Sequence, residues 1–150
     1  MDQPSESPSA ELSRLVERHG IDLVKKAIKK LEKSPRRELT VIVNSGMHSI
    51  PEDVIRGDVF VFSEGQVDLT GDGIDRVLDA LIKRAHSFLS GGNWNKVYII
   101  PSGHPLLVVV ATLVTFRSTR IDPVIVAYLG SENYVDFDSN IRERIFSKEK

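Results

Sequence analysis

Four short apolar runs constrain this chain more than any other feature. Glu38–Asn44 (ELTVIVN), Asp58–Ser63 (DVFVFS), Lys96–Ile100 (KVYII) and Pro123–Leu129 (PVIVAYL) are rich in β-branched residues and too short for helices. Their apolar residues run almost without interruption, the pattern of strands buried on both faces. The clearest helix lies between the second and third runs. Ile74, Val77, Leu78, Leu81, Ile82, Ala85, Phe88 and Leu89 fall on one stripe, Asp75, Arg76, Asp79, Lys83 and Arg84 lie off it, and Gly91-Gly92 stops it. Residues 105 to 117 carry β-branched valines, yet the segment is long for a strand and Pro105 suits a first helical position. A helix packed into the core on most of its surface is therefore expected. Strands alternating with helices define an α/β fold, a Rossmann-like mostly parallel sheet flanked by helices on both faces. Smaller features complete it: one helical turn over Pro51–Ile55 with Ser49 near its start, an edge strand at Tyr134–Phe137, and a last helix through Ile141, Ile145 and Phe146 capped by Asp138 or Ser139.

An N-terminal helical arm precedes this domain. Residues 1 to 9 read as a flexible polar tail, 10 to 37 as the arm and 38 to 150 as the domain. Ser9 caps a first helix with Leu12, Leu15 and Val16 on one face, and Gly20 ends it. Asp22 caps a second, whose apolar side holds Leu23, Val24, Ala27, Ile28 and Leu31. Its other side holds Lys25, Lys26, Lys29, Lys30 and Lys33, and Ser34-Pro35-Arg36-Arg37 forms the exit. Helix, glycine turn, basic helix is the outline of a helix-turn-helix, which would place nucleic acid or an effector protein on those lysines. A solvated face is the plainer reading, because no aromatic, Asn or Gln side chains interleave with the lysines.

Several function classes drop out. The chain has no cysteine, which excludes disulfides, a thiolate nucleophile and cysteine-based zinc sites. Its four histidines are dispersed, with no His-x-x-x-His pair, so neither a metal nor another cofactor is expected. Asp136 and Asp138 share one face of their strand, but no third ligand is in view and a solvated edge is expected. The start, MDQPSESPSA, has no apolar signal region, and the run from Leu106 to Ala111 is too short to span a bilayer; a cytoplasmic protein without membrane contact is expected. The net charge of -1 points to no anionic partner.

In parallel sheets, ligands bind beyond the carboxyl ends of the strands, where the strand order reverses. That rule selects four loops and these candidates: Asn44, Ser45, Gly46 and His48; Ser63 and Gln66; Ser102, Gly103 and His104; Gly130 and Ser131. Pro101-Ser102-Gly103-His104-Pro105 is the strongest. Its glycine permits close backbone approach, its serine offers a hydroxyl, and the helix that follows offers free N–H groups to an anion. The plain alternative is a tight strand-to-helix turn. The loop lacks the Gly-Lys-Ser/Thr ending of a Walker A sequence and is not a Gly-x-Ser-x-Gly elbow. Gly103→Val is expected to block a ligand and spare the fold, since the loop should lie at the surface. His48 can serve as acid or base, and His104 can do so or simply cap the helix; His19 and His86 look structural.

From Val59 to Leu129 the chain resembles the CARF and SAVED sensor domains, which bind cyclic oligonucleotide messengers in CRISPR and CBASS antiviral defence. The resemblance is carried by KVYIIPSGHPLLVVVATLVTF followed by RIDPVIVAYLG, and the layout is similar to small standalone CARF-like proteins of type III CRISPR loci, some of them ring nucleases. It implies a homodimer whose loops share one cyclic oligoadenylate, with Asn44, Ser45, Ser102, Gly103 and His104 at phosphates and riboses. The departures are the helical arm before the first strand and the lack of a basic residue in the ligand loops. Ring cleavage, if present, would be metal-independent attack by a ribose 2′-hydroxyl, with Ser102 as a donor and His48 or His104 moving a proton. The alternative is a DNA-associated or partner-binding regulator acting through the basic helix pair.

Overall fold

The computed structural model describes residues 8–33 and 37–147. Of the expected tail, residues 1 to 9, the first seven lie outside the described residues, as do Ser34, Pro35 and Arg36 of the exit; Pro8 and Ser9 already belong to the first helix, so Ser9 lies inside it and is not its cap. The chain divides into two units, Met1–Pro35 and Arg36–Lys150. In the first, α1 (Pro8–His19) and α2 (Ile21–Lys33) are joined at Gly20, whose N–H closes on Val16 O at 2.8 Å. Val24 N–H already bonds Gly20 O, so Asp22 sits inside the first turn of α2 and is not its cap. Its charge still favours that end of the helix dipole.

The second unit is a five-stranded sheet of order β2-β1-β3-β4-β5, formed by β1 (Arg37–Ser45), β2 (Asp58–Glu64), β3 (Trp94–Ile100), β4 (Val124–Tyr128) and β5 (Tyr134–Asp138). The first four strands are parallel and β5 returns antiparallel to β4. The expected α/β class, a mostly parallel Rossmann-like sheet flanked by helices, is the fold observed. α3 (Ile74–Ser90) and α4 (Pro105–Thr119) make the long crossovers, and α5 (Ile141–Phe146) ends the described chain.

The two long helices share one face of the sheet. Ala85 and Leu89 of α3 and Leu107, Ala111 and Val114 of α4 close over Leu39, Val41 and Val43 of β1, Phe60 and Phe62 of β2, and Val97 and Ile99 of β3. Phe62, Leu39, Leu89, Ile99 and Leu107 are among the largest fully buried side chains, and each contributes about 1.5–3 kcal/mol by leaving water. The expectation of helices on both faces of the sheet is therefore corrected within this unit. The reason is the direction of the crossovers. β2 to β3 and β3 to β4 both move the same way along the sheet, and right-handed connections then fall on the same side. The reverse step, β1 to β2, carries no long helix. Its connection, residues 46–57 with a 3₁₀ turn at Glu52–Val54, covers the opposite face, where Val54, Ile50 and Ile55 pack on Ile42, Tyr98, Ile100, Val124 and Val126.

Side chains pin that connection. Buried Thr40 donates its hydroxyl to Arg56 O at 2.7 Å and accepts Arg56 N–H at 2.8 Å. The Arg56 guanidinium lies 4.5 Å from the Tyr98 ring centre and pairs with Asp136 on β5 at 2.9 Å. Partial burial pulls the Arg56 pKa down, but the bond and charge of Asp136 and the Tyr98 hydroxyl outweigh it, so the guanidinium is held above its already high value. Asp136 thus serves a structural pair. At the C-terminus neither expected cap acts: Asn140 precedes α5 without a side-chain cap bond, and the Ser139 hydroxyl donates to Pro123 O at 2.6 Å. Among the described residues no helix is long and apolar enough to cross a membrane.

Candidate functional site: a cleft where the strand order reverses

The chain leaves β1 for β2 on one side and enters β3 on the other, so the order reverses between β1 and β3. At that point the carboxyl ends of the two strands are tied by a latch. Asn44, the penultimate residue of β1, is buried. Its N–H donates to Ser102 Oγ at 2.9 Å, and Ser102 Oγ donates to Asn44 O at 2.6 Å. Its side-chain Nδ2 donates to Ser63 Oγ and to Gly65 O, both at 2.9 Å. Ser63 Oγ in turn donates to Val43 O at 2.7 Å. Three strand ends, β2, β1 and β3, are thus joined through one amide and two hydroxyls. Asn44 Oδ1 is buried with no hydrogen-bond partner among the described residues.

The latch settles what several expected ligand residues do in this structure. The hydroxyl protons of Ser63 and Ser102 are committed to backbone carbonyls. Gly103 has φ +87°, and a Cβ there would stand 2.7 Å from Asn44 Cβ and 3.2 Å from its Cγ. The glycine lets the β3–α4 turn press onto Asn44, so a larger residue at this position strains the fold, contrary to the expectation of a tolerant surface loop. His104 caps α4, its Nδ1 accepting Leu106 N–H at 3.1 Å with Pro105 at the first helical position. His86 meets Ser118 Oγ at 2.9 Å and links α3 to α4.

Around the latch the surface is concave on two sides. The larger cleft, about 690 Å³, runs over the ends of β3 and β4. Its lining includes apolar Ile50, Pro51, Ile100 and Val126, the turn Pro101-Ser102-Gly103, His48 and Ser49 from the β1–β2 connection, and Tyr128, Glu132 and Tyr134 from the β4–β5 hairpin. The two tyrosine rings lie with centroids 5.2 Å apart, tilted by 48°. Among the described residues no lysine or arginine lines this cleft. A smaller cavity of about 340 Å³ lies on the other side of the latch. Asn44, Met47, His48, Gln66, Gly103, His104 and Leu107 are among its walls, and the N-terminus of α4 opens onto it. His48 is exposed and borders both.

The structure therefore brings together Asn44, His48, Gln66, Ser102, Gly103 and His104. Ser45, Gly46, Ser63, Gly130 and Ser131 line neither hollow, though Glu132, next in the last turn, does. Sequence reasoning missed Tyr128 and Tyr134, which read as ordinary strand aromatics. The available signal was their position at the two ends of a hairpin whose turn follows a parallel strand's carboxyl end. Among the described residues no group of three or more His, Cys, Asp or Glu could hold a metal ion. In the N-terminal unit Lys25, Lys26 and Lys29 are exposed on α2, while the side chains of Lys30 and Lys33 lie outside the described residues.

The fold and cleft together define a Rossmann-like α/β domain with a small-molecule-sized hollow at its switch point. Comparison of the chain with known protein families, with curated proteins and with solved structures finds no match.

Proposed function

We propose that the sheet unit binds a cyclic oligonucleotide messenger, cyclic oligoadenylate, as a sensor in prokaryotic antiviral defence, and that it does so as a two-fold homodimer in which each copy takes part of the ring. The observation that carries this reading is the cleft at the β1/β3 reversal. Its volume of about 690 Å³ lies within the usual range for a small-molecule site, and its apolar floor and tyrosine pair suit a base. Phosphate would be met by the N-terminus of α4 with His48 and His104 beside it, not by lysine or arginine. An exposed apolar stripe on α4, Val109, Leu113 and Phe116, supports a second copy as the partner, since this helix begins at the smaller cavity beside the cleft.

Binding is favoured over ring cleavage. Attack by a ribose 2′-hydroxyl needs free donors for the developing charge, and the Ser102 hydroxyl proton is already committed to Asn44 O, while His104 spends Nδ1 on accepting Leu106 N–H and keeps only Nε2–H as a donor. The test is a thermal-shift panel of cyclic di-, tetra- and hexa-adenylate against the purified chain, with light scattering on the best ligand. A ligand at a hundred times its Kd stabilises by about 2.7 kcal/mol, a shift of several degrees. No shift with any ring would end the reading. The exposed lysines of α2 favour a second reading, nucleic-acid or partner contact through the helix pair; it requires duplex DNA affinity that falls steeply with salt.

A further inference from the structure

We infer that Glu132 is the specificity determinant of the cleft and reads an exocyclic amino group on the base; this rests on the nucleotide reading above. Glu132 lines the cleft with Tyr128 and Tyr134, and among the described residues it is the only carboxylate in the lining. It sits in an unusual backbone. After Gly130, both Ser131 (φ +49°) and Glu132 (φ +60°) adopt the left-handed conformation that L side chains rarely take. Two bonds hold the turn in that shape, Leu129 N–H to Asn133 O at 2.8 Å and Asn133 N–H to Gly130 O at 2.9 Å. The Glu132 N–H also reaches the Tyr128 hydroxyl at 3.5 Å. The two are the central residues of a type I′ turn, the geometry that suits the twist of a hairpin, and that turn fixes where the Glu132 side chain leaves the chain at the cleft wall.

The chemistry of that side chain selects its partner. A carboxylate only accepts hydrogen bonds. Among the described residues Glu132 forms no ion pair, and no lysine or arginine lines the cleft to neutralise it. Its complement is therefore a donor brought by the ligand. A phosphate is excluded at this end by like charge. It belongs at the N-terminus of α4, which follows β3; β5 lies two strands further along the sheet, roughly 10 Å away at ordinary strand spacing. The two hollows, which share His48 and Gly103 as walls, thus have a polarity, with the donors of α4 in the smaller one and an acceptor at the hairpin end of the larger. A nucleotide bound with its base packed against the tyrosine pair and its phosphate toward α4 presents the far edge of its base to Glu132. Adenine offers an amino group there; unsubstituted purine carries only C6–H between the acceptors N1 and N7, which a carboxylate repels.

The experiment is calorimetric titration of the full chain with cyclic tetra- and hexa-adenylate and with the ring of each size built from purine riboside. The adenylate is expected to bind at least about tenfold tighter than its purine-riboside counterpart, since a group built to accept rejects the analogue that cannot donate. Glu132→Gln, at an exposed position, should leave the melting temperature unchanged and bring the two affinities within about threefold, because an amide can also donate to the bare ring nitrogen. Equal binding of both rings by the wild type, or an unchanged preference in Glu132→Gln, overturns the role of Glu132 and leaves the nucleotide reading standing. Failure of every ring to bind overturns both.

Discussion

Replacing Gly103 by alanine tests whether the β3–α4 turn is part of the scaffold or a free ligand loop. Two costs add. At φ +87° a Cβ costs about 1–2 kcal/mol in backbone conformation alone. The new Cβ also stands 2.7 Å from Asn44 Cβ, and Asn44 cannot give way easily, because four hydrogen bonds to Ser102, Ser63 and Gly65 hold it. Overpacking of that kind costs about 1–3 kcal/mol. The sum is about 2–5 kcal/mol. Gly130 supplies the control, for its φ is +90° and a Cβ there meets nothing within 4 Å. Gly130→Ala should therefore lose only the conformational part, about 1–2 kcal/mol. Urea denaturation of both variants, read at unchanged m-value, isolates the contact with Asn44 as the difference. Equal losses at the two sites would show that the turn moves freely off Asn44 and would refute the latch.

Other outcomes follow from the same contacts. Asn44→Ala removes two side-chain bonds and strands Gly65 O, so it should cost about 2–4 kcal/mol in the same urea assay; a loss under 1 kcal/mol would mean the amide is dispensable. Thr40→Val keeps shape but frees the Arg56 backbone, and hydrogen exchange at Arg56 should quicken by about tenfold or more; unchanged protection would place the anchor of the 46–57 connection elsewhere. Tyr128→Ala, at an exposed position, should weaken cyclic oligoadenylate by about 1–3 kcal/mol in calorimetry without lowering the melting temperature; unchanged affinity would remove the tyrosine from the site. Asp68 accepts the Thr70 hydroxyl at 2.6 Å and the Thr70 N–H at 2.9 Å, and those two bonds hold its pKa below the ordinary aspartate value. Its stabilising contribution is thus complete above the unfolded-state pKa and is lost as pH falls through the lower folded one. Carboxyl NMR titration should find that depression, and Thr70→Val should reduce it; an Asp68 indifferent to Thr70→Val would rule the hydroxyl out as the cause.

The elements themselves were legible in the sequence because periodicity is local. The stripe from Ile74 to Leu89 predicts a helix that the structure draws as Ile74–Ser90, and the four β-branched runs become the four parallel strands within one or two residues at each end. Pro105 decided the ambiguous segment correctly, since a proline at the first helical position outweighs the β propensity of Val108 to Val110 once the segment is buried. The choice of loops at the strand ends also came from the sequence, through the general rule for parallel sheets. Tertiary structure alone decided which face the long helices take, because the direction of each crossover depends on strand order, and strand order is set by which runs pair over long separations. It alone joined Asn44 to Ser102, 58 residues apart, and so turned two expected ligand groups into a latch. It alone placed Tyr128, Glu132 and Tyr134 at one cleft with His48. A side chain's periodicity reports whether it is buried within its own element; what it touches across the sheet is fixed only when the strands have chosen their neighbours.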